Sequence, residues 1–109
     1  MSKPKNKPPC HLMPATRRWW SQVVADFALE SHHLRLLTAA CEAWDRMTDA
    51  RETLAAEGTY YRNASGEPRL HPAAGVERDS RIAFARMVRE IGLDGAPEPD
   101  PRPPGIGGR

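Results

Sequence analysis

Leu34-Arg35-Leu36-Leu37-Thr38-Ala39-Ala40-Cys41-Glu42-Ala43-Trp44-Asp45-Arg46-Met47-Thr48-Asp49-Ala50-Arg51-Glu52-Thr53-Leu54-Ala55-Ala56-Glu57-Gly58 is the stretch on which the fold turns. Placed at helical spacing, Leu34, Leu37, Ala40, Cys41, Trp44, Met47, Thr48, Leu54 and Ala55 fall on one broad face, and Arg35, Glu42, Asp45, Arg46, Asp49 and Glu52 fall opposite. An amphipathic pattern held this long is helical, and Gly58 is placed to end it. Ser31 can cap the start, its hydroxyl accepting from the backbone N–H of His33 or Leu34, so a helix is expected over residues 31–57. At about 1.5 Å per residue such a helix is nearly 40 Å long. Its apolar face needs cover from another helix of this chain or from a second copy, and a core this small favours a homo-oligomer. Arg51 stands in the middle of that face, where a guanidinium must either reach solvent along its stem, the favoured expectation, or meet a carboxylate.

Upstream, Trp20, Val23, Val24 and Phe27, with Trp19 at the edge, recur at helical spacing and predict a first helix over residues 15–29. Downstream, Thr59-Tyr60-Tyr61 has strand propensity, Asn63-Ala64-Ser65-Gly66 is a turn signal, and Pro68-Arg69-Leu70 returns. A hairpin this short must lean on a helix or on a neighbouring subunit. Pro72 suits the first position of a third helix, where its missing N–H costs nothing, and Gly92 stops that helix after Ile91. Val76, Ser80, Ala83, Phe84, Met87 and Ile91 form its inner stripe, with Arg78, Arg81, Arg86 and Arg89 on the opposite side. The fold class expected is mainly α: a three-helix core domain over residues 15–93 with a long central helix and a small β-hairpin between the second and third helices. A disordered basic arm, residues 1–14, precedes it, and a disordered Pro/Gly-rich tail, residues 94–109, follows.

The 109 residues hold one domain. Their formal charge of +2 is unevenly spread, because Lys3, Lys5, Lys7, Arg17 and Arg18 stand together in the first 18 residues with no acid among them. A lysine arm neutralises phosphates without reading bases, so it suits nucleic acid in general. The arginine side of the third helix could also follow a phosphate backbone, although Glu77, Asp79 and Glu90 flank it and suggest a solvated face with local ion pairs. Cys10 and Cys41 do not make a disulfide framework, which points to a reducing compartment. No apolar run is long enough to cross a bilayer, and the basic N-terminus is not followed by the apolar core of a signal peptide, so a cytoplasmic location is expected.

His32-His33 with His11, Cys10 and His71 have no recognised metal-ligand spacing, and no metal or cofactor is expected. Nor is there a Gly-rich phosphate loop, a His-Glu-x-x-His pair, or a nucleophile with its base. Asp26, Glu42 and Asp45 read as surface carboxylates. A non-catalytic helical binding module is the class that remains.

The order of segments over residues 15–93 resembles the small terminase subunits of tailed phages and prophages. A Trp-bearing first helix, Arg17-Arg18-Trp19-Trp20-Ser21-Gln22-Val23-Val24, precedes a His-His-Leu helix start, Ser31-His32-His33-Leu34. The long helix has an Ala-Cys-Glu-Ala centre at residues 40–43 and ends in Leu54-Ala55-Ala56-Glu57-Gly58. After the hairpin come His71-Pro72-Ala73, Glu77-Arg78-Asp79-Ser80-Arg81, Phe84-Ala85-Arg86 and Glu90-Ile91-Gly92-Leu93. The resemblance implies a ring-forming, non-catalytic subunit that recognises packaging-site DNA and regulates a large subunit carrying the ATPase and nuclease. The partners it implies are double-stranded viral DNA, the terminase large subunit and further copies of the chain, in the bacterial host cytoplasm.

The link around Leu29 to His32 lacks the glycine turn of a helix-turn-helix, so the expected DNA contact is electrostatic and multivalent. Its expected residues are Lys3, Lys5, Lys7, Arg17, Arg18, Arg78, Arg81, Arg86 and Arg89. Trp20, Leu37, Trp44, Arg51 and Leu54 are the expected core or subunit contacts. A helical protein–protein adaptor that never touches DNA is the alternative. Replacing Lys3, Lys5 and Lys7 by Ala is expected to weaken duplex binding and flatten its salt dependence in a titration; unchanged binding would remove the arm from the mechanism.

Overall fold

The computed structural model describes residues 6–93. Lys3 and Lys5 of the expected arm, and the expected tail over residues 94–109, lie outside the described residues. Three helices and a hairpin follow one another: α1 (Pro14–Asp26), α2 (Ser31–Glu57), β1 (Tyr60–Arg62), β2 (Pro68–Leu70) and α3 (Pro72–Ile91). The expected fold class is the observed one.

α3 lies along α2, and α1 makes a smaller contact with α2. The direction of the α2–α3 pair is read from its cross-links. Arg51 bonds Glu77 at 3.0 Å, and the rings of Trp44 and Phe84 are 4.9 Å apart. Leu37 and Ile91 share one core cluster. Each seven-residue step backward along α2 is thus matched by a seven-residue step forward along α3, which makes the pair antiparallel with a heptad-like register. The long apolar face of α2 is covered from within the chain, chiefly by α3. Leu37, Ala40, Cys41, Ala43 and Met47 are essentially inaccessible to solvent.

The helix ends are set by local chemistry. Glu30, one residue earlier than the expected Ser31, is the N-cap of α2, and its backbone N–H donates to His33 Nδ1 at 3.2 Å. Ser31 is therefore the first helical residue. α1 stops at Asp26 and not at Leu29, because residues 27–30 are needed to turn the chain into α2; Leu29 still packs against the core from that connection. At the far end Gly92 adopts the left-handed conformation, with φ of 91°, that side chains resist. Its N–H and that of Leu93 bond back to Val88, turning Leu93 onto the core.

His71 is the N-cap of α3: its Nδ1 accepts from Ala73 N–H at 3.0 Å, and its Nε2 lies 2.7 Å from Glu57 Oε1. Since Nδ1 accepts, Nε2 carries the proton and donates to Glu57. The last turn of α2 is thereby clasped to the first turn of α3. The hairpin hangs from this clasp with Tyr60 facing Leu70 across an antiparallel pair, and both of its strands are exposed throughout.

The expected arm needs correction at its inner end. Leu12 is only 4% exposed and belongs to the core cluster with Trp20, Val23, Leu37, Cys41 and Ile91. His11 Nε2 is 2.8 Å from Glu42 Oε2, and Met13 N–H donates to Asp45 at 2.8 Å. A buried leucine flanked by two polar ties holds residues 11–13 against α2, so Pro-rich composition here does not mean an unpacked segment. Leu37→Ala removes a side chain with no exposed surface and is expected to cost about 2 to 5 kcal/mol. Thermal unfolding should record a fall of roughly 10 °C or more, whereas Ile82→Ala, at a residue 47% exposed, should leave the midpoint almost unchanged. Equal midpoints for the two variants would mean that the core has been misplaced.

Candidate nucleic-acid interface

α1 begins without a side-chain cap of its own and with no acid in its first turn, so its free N–H groups and the positive end of its dipole need an outside partner. Asp45 of α2 provides it, accepting from Met13 N–H and from the Thr16 hydroxyl, which is buried. The expectation of Asp45 as a surface carboxylate is corrected by this contact, and Glu42 is likewise engaged by His11. The signal that could have found Asp45 is the missing cap at Met13: an uncapped helix start must borrow an acceptor from elsewhere.

Arg17 and Arg18 stand one turn into that helix, both exposed. The macrodipole disfavours cations here, and among the described residues neither makes an ion pair. With Pro8, Pro14 and Ser21 they line an open depression of about 400 Å³, and exposed Lys7 adjoins it in sequence. Rigid prolines, free guanidiniums and a helix start in one place form a surface suited to anionic oxygens.

The arginines of α3 divide into two pairs. Arg81 bonds Glu77 at 3.3 Å and Arg78 bonds Asp79 at 3.2 Å, so both are engaged by neighbouring acids. Arg86 and Arg89 are exposed and make no ion pair among the described residues. Arg51 meets a partner, Glu77, in place of the favoured solvent-reaching arrangement, although its side chain remains 53% exposed. Glu77 therefore accepts from two guanidiniums, and hydrogen bonds first from Arg81 and then from Arg51 hold its carboxyl below the usual carboxylate range.

Trp20 and Leu37 are buried in the core, and the Trp20 indole N–H donates to Thr38 at 3.3 Å. Leu54 is half-buried. Trp44 is 41% exposed, at the rim of the α2–α3 seam. Burial, followed by the nearby carboxylates of Asp45 and Glu42, pushes the Cys41 thiol up to about 12, which leaves it protonated and inert at neutral pH. Cys10 is exposed. His11 and His71 are each occupied with a glutamate, and no group of three potential metal ligands occurs among the described residues. No helix among them is long and apolar enough to cross a membrane.

A family model described as phage terminase, small subunit, matches residues 17–100. No curated protein and no solved structure matches the chain.

The Glu77 node has a pH signature. A carboxylate with a lowered folded pKa contributes stability that is present above its ordinary value, 4.5, and is lost as pH falls through the folded value. Glu77→Gln should therefore melt below the parent at pH 7, with the gap closing as the solution is acidified below 4.5. A gap of constant size across that range would show that the carboxylate charge plays no part.

Proposed function

The chain belongs to the phage terminase small-subunit family, and from that premise we propose that it is the non-catalytic, DNA-binding, oligomeric component of a viral packaging machine in the bacterial host cytoplasm. In this role it gathers packaging-site DNA and regulates a large subunit that carries the ATPase and nuclease. The observation that carries the DNA-binding part is the pair Arg17 and Arg18: two exposed guanidiniums, without ion pairs among the described residues, at a helix start that disfavours cations. Lys7 beside them, with Lys3 and Lys5 earlier in the chain, extends the positive surface.

Phosphate contact by these groups releases counterions and carries no base specificity. Specific packaging then depends on many weak contacts presented together, which a ring provides through effective concentration. Arg86 and Arg89 are the second set of contacts. Arg78 and Arg81 contribute less, because each guanidinium is already engaged, Arg78 by Asp79 and Arg81 by the Glu77 carboxylate it shares with Arg51.

With α2 covered by α3, subunit contacts need another apolar surface. The hairpin supplies one: Tyr60, Tyr61 and Leu70 are 67%, 46% and 49% exposed, and Val76 on the adjoining helix is 41% exposed. Strands of three residues are marginal without support, so a neighbouring subunit both stabilises the hairpin and buries its side chains.

Two double variants separate the arginines. Arg17→Ala/Arg18→Ala should weaken duplex binding in an anisotropy titration and reduce the slope of log affinity against log salt by roughly two per subunit engaged. Arg78→Ala/Arg81→Ala should change both much less. Binding that ignores the first pair, or that is indifferent to salt in the parent protein, would overturn the assignment.

A further inference from the structure

Where the three helices converge, each contributes one aromatic ring to an open apolar hollow. Trp19 of α1 and Trp44 of α2 both face Phe84 of α3, with ring centroids 5.8 and 4.9 Å away. With Ala15 and Thr16 they enclose about 410 Å³. Trp44 is 41% exposed in this arrangement, a large area of indole for a small protein to leave uncovered.

The charges around the hollow are unbalanced. Arg51, one heptad from Trp44, and Arg81, three residues from Phe84, share the single carboxylate of Glu77, which leaves one positive charge in excess. Arg18, one residue from Trp19, adds another. Asp45, next to Trp44 in sequence, accepts from Met13 N–H and the Thr16 hydroxyl and sets one negative charge against these two, so one positive charge remains in excess.

The chain beyond Leu93 has the complementary chemistry. Asp94-Gly95-Ala96-Pro97-Glu98-Pro99-Asp100-Pro101 alternates prolines with acids and contains no base. Alternating prolines favour a polyproline II backbone, a shape that aromatic-lined grooves accept at low entropic cost. The origin and reach also agree. Left-handed Gly92 turns Leu93 back onto the core, and Phe84 lies two helical turns, about 10 Å, from Ile91. An extended segment covers that distance in three or four residues and the distance to Arg81 in about five.

We propose that residues 94–101 dock in cis on the hollow, with the prolines against Trp19, Trp44 and Phe84 and with Glu98 and Asp100 against Arg51 and Arg81. Composition that denies the segment a core of its own is what fits it to this one. The docked tail covers the indoles and neutralises the excess guanidinium charge, and it does so without DNA or a second subunit.

The three tryptophans make the test internal. Two-dimensional NMR of the full chain resolves their indole N–H signals, and Trp20, buried and bonded to Thr38, is the reference. Full-length Pro97→Ser/Pro99→Ser/Pro101→Ser should shift the Trp19 and Trp44 signals and leave that of Trp20 in place. Glu98→Gln/Asp100→Asn should shift the same two signals, as should raising the salt concentration of the parent. Unmoved Trp19 and Trp44 signals would overturn the proposal. So would movement of all three, which places the tail against the core, and so would shifts that follow dilution of the parent and not the tail sequence, which assign the hollow to a second copy.

Discussion

The antiparallel register between α2 and α3 is the constraint from which the rest of the molecule follows. Seven-residue steps pair Arg51 with Glu77 and Trp44 with Phe84, and bring Leu37 and Ile91 into one cluster. A slip of one helical turn would break the ion pair, separate the rings and expose Ile91. The same register brings Glu57 within reach of His71, so the hairpin emerges from a clasped base. It also leaves Asp45 and Thr38 on a side of α2 that α1 can reach, and α1 is positioned by those two residues and by Trp20 and Val23. The placement of Arg17 and Arg18 is therefore a distant consequence of how α3 packs on α2.

Most of this architecture is legible in the sequence, because the signals are periodic and locally punctuated. The long apolar stripe from Leu34 to Leu54, Gly58 at its end, Pro72 opening the third helix and Gly92 closing it each reflect a backbone preference that tertiary contacts reinforce. The hairpin follows from Tyr60-Tyr61 and the Asn63–Gly66 turn in the same way. Less legible are features that depend on residues far apart in the chain. Leu12, alone among prolines, shows no periodicity, yet it fills the core beneath α1. Asp45 has the spacing of a solvated residue, and only the missing cap on α1 makes it an acceptor. Arg51 on an apolar stripe signals that a partner or an exit is needed without saying which; Glu77, 26 positions away, is the partner.

Charge in this protein is sorted by commitment more than by count. Glu77, Asp45, Glu42 and Glu57 are each held by a donor from another segment, and those contacts help assemble the fold, while Asp79 pairs with its neighbour Arg78. Arg17, Arg18, Arg86 and Arg89 carry no such ties among the described residues, whereas Arg78 and Arg81 stand beside the acids that engage them. A formal charge of +2 thus conceals local surfaces able to attract a polyanion. In the proposed function that surface meets duplex phosphates, and the exposed hairpin is the proposed route to the multivalency on which such weak contacts depend.

The proposed function requires several copies of this chain to act together on duplex DNA. Multi-angle light scattering of the full chain, alone and with duplex from the packaging region, at low and at high salt, tests it most directly. A closed oligomer is expected, of a mass independent of concentration over the working range, that takes up duplex at low salt and releases it at high salt. A monomer that leaves the duplex untouched at both salt concentrations would contradict it.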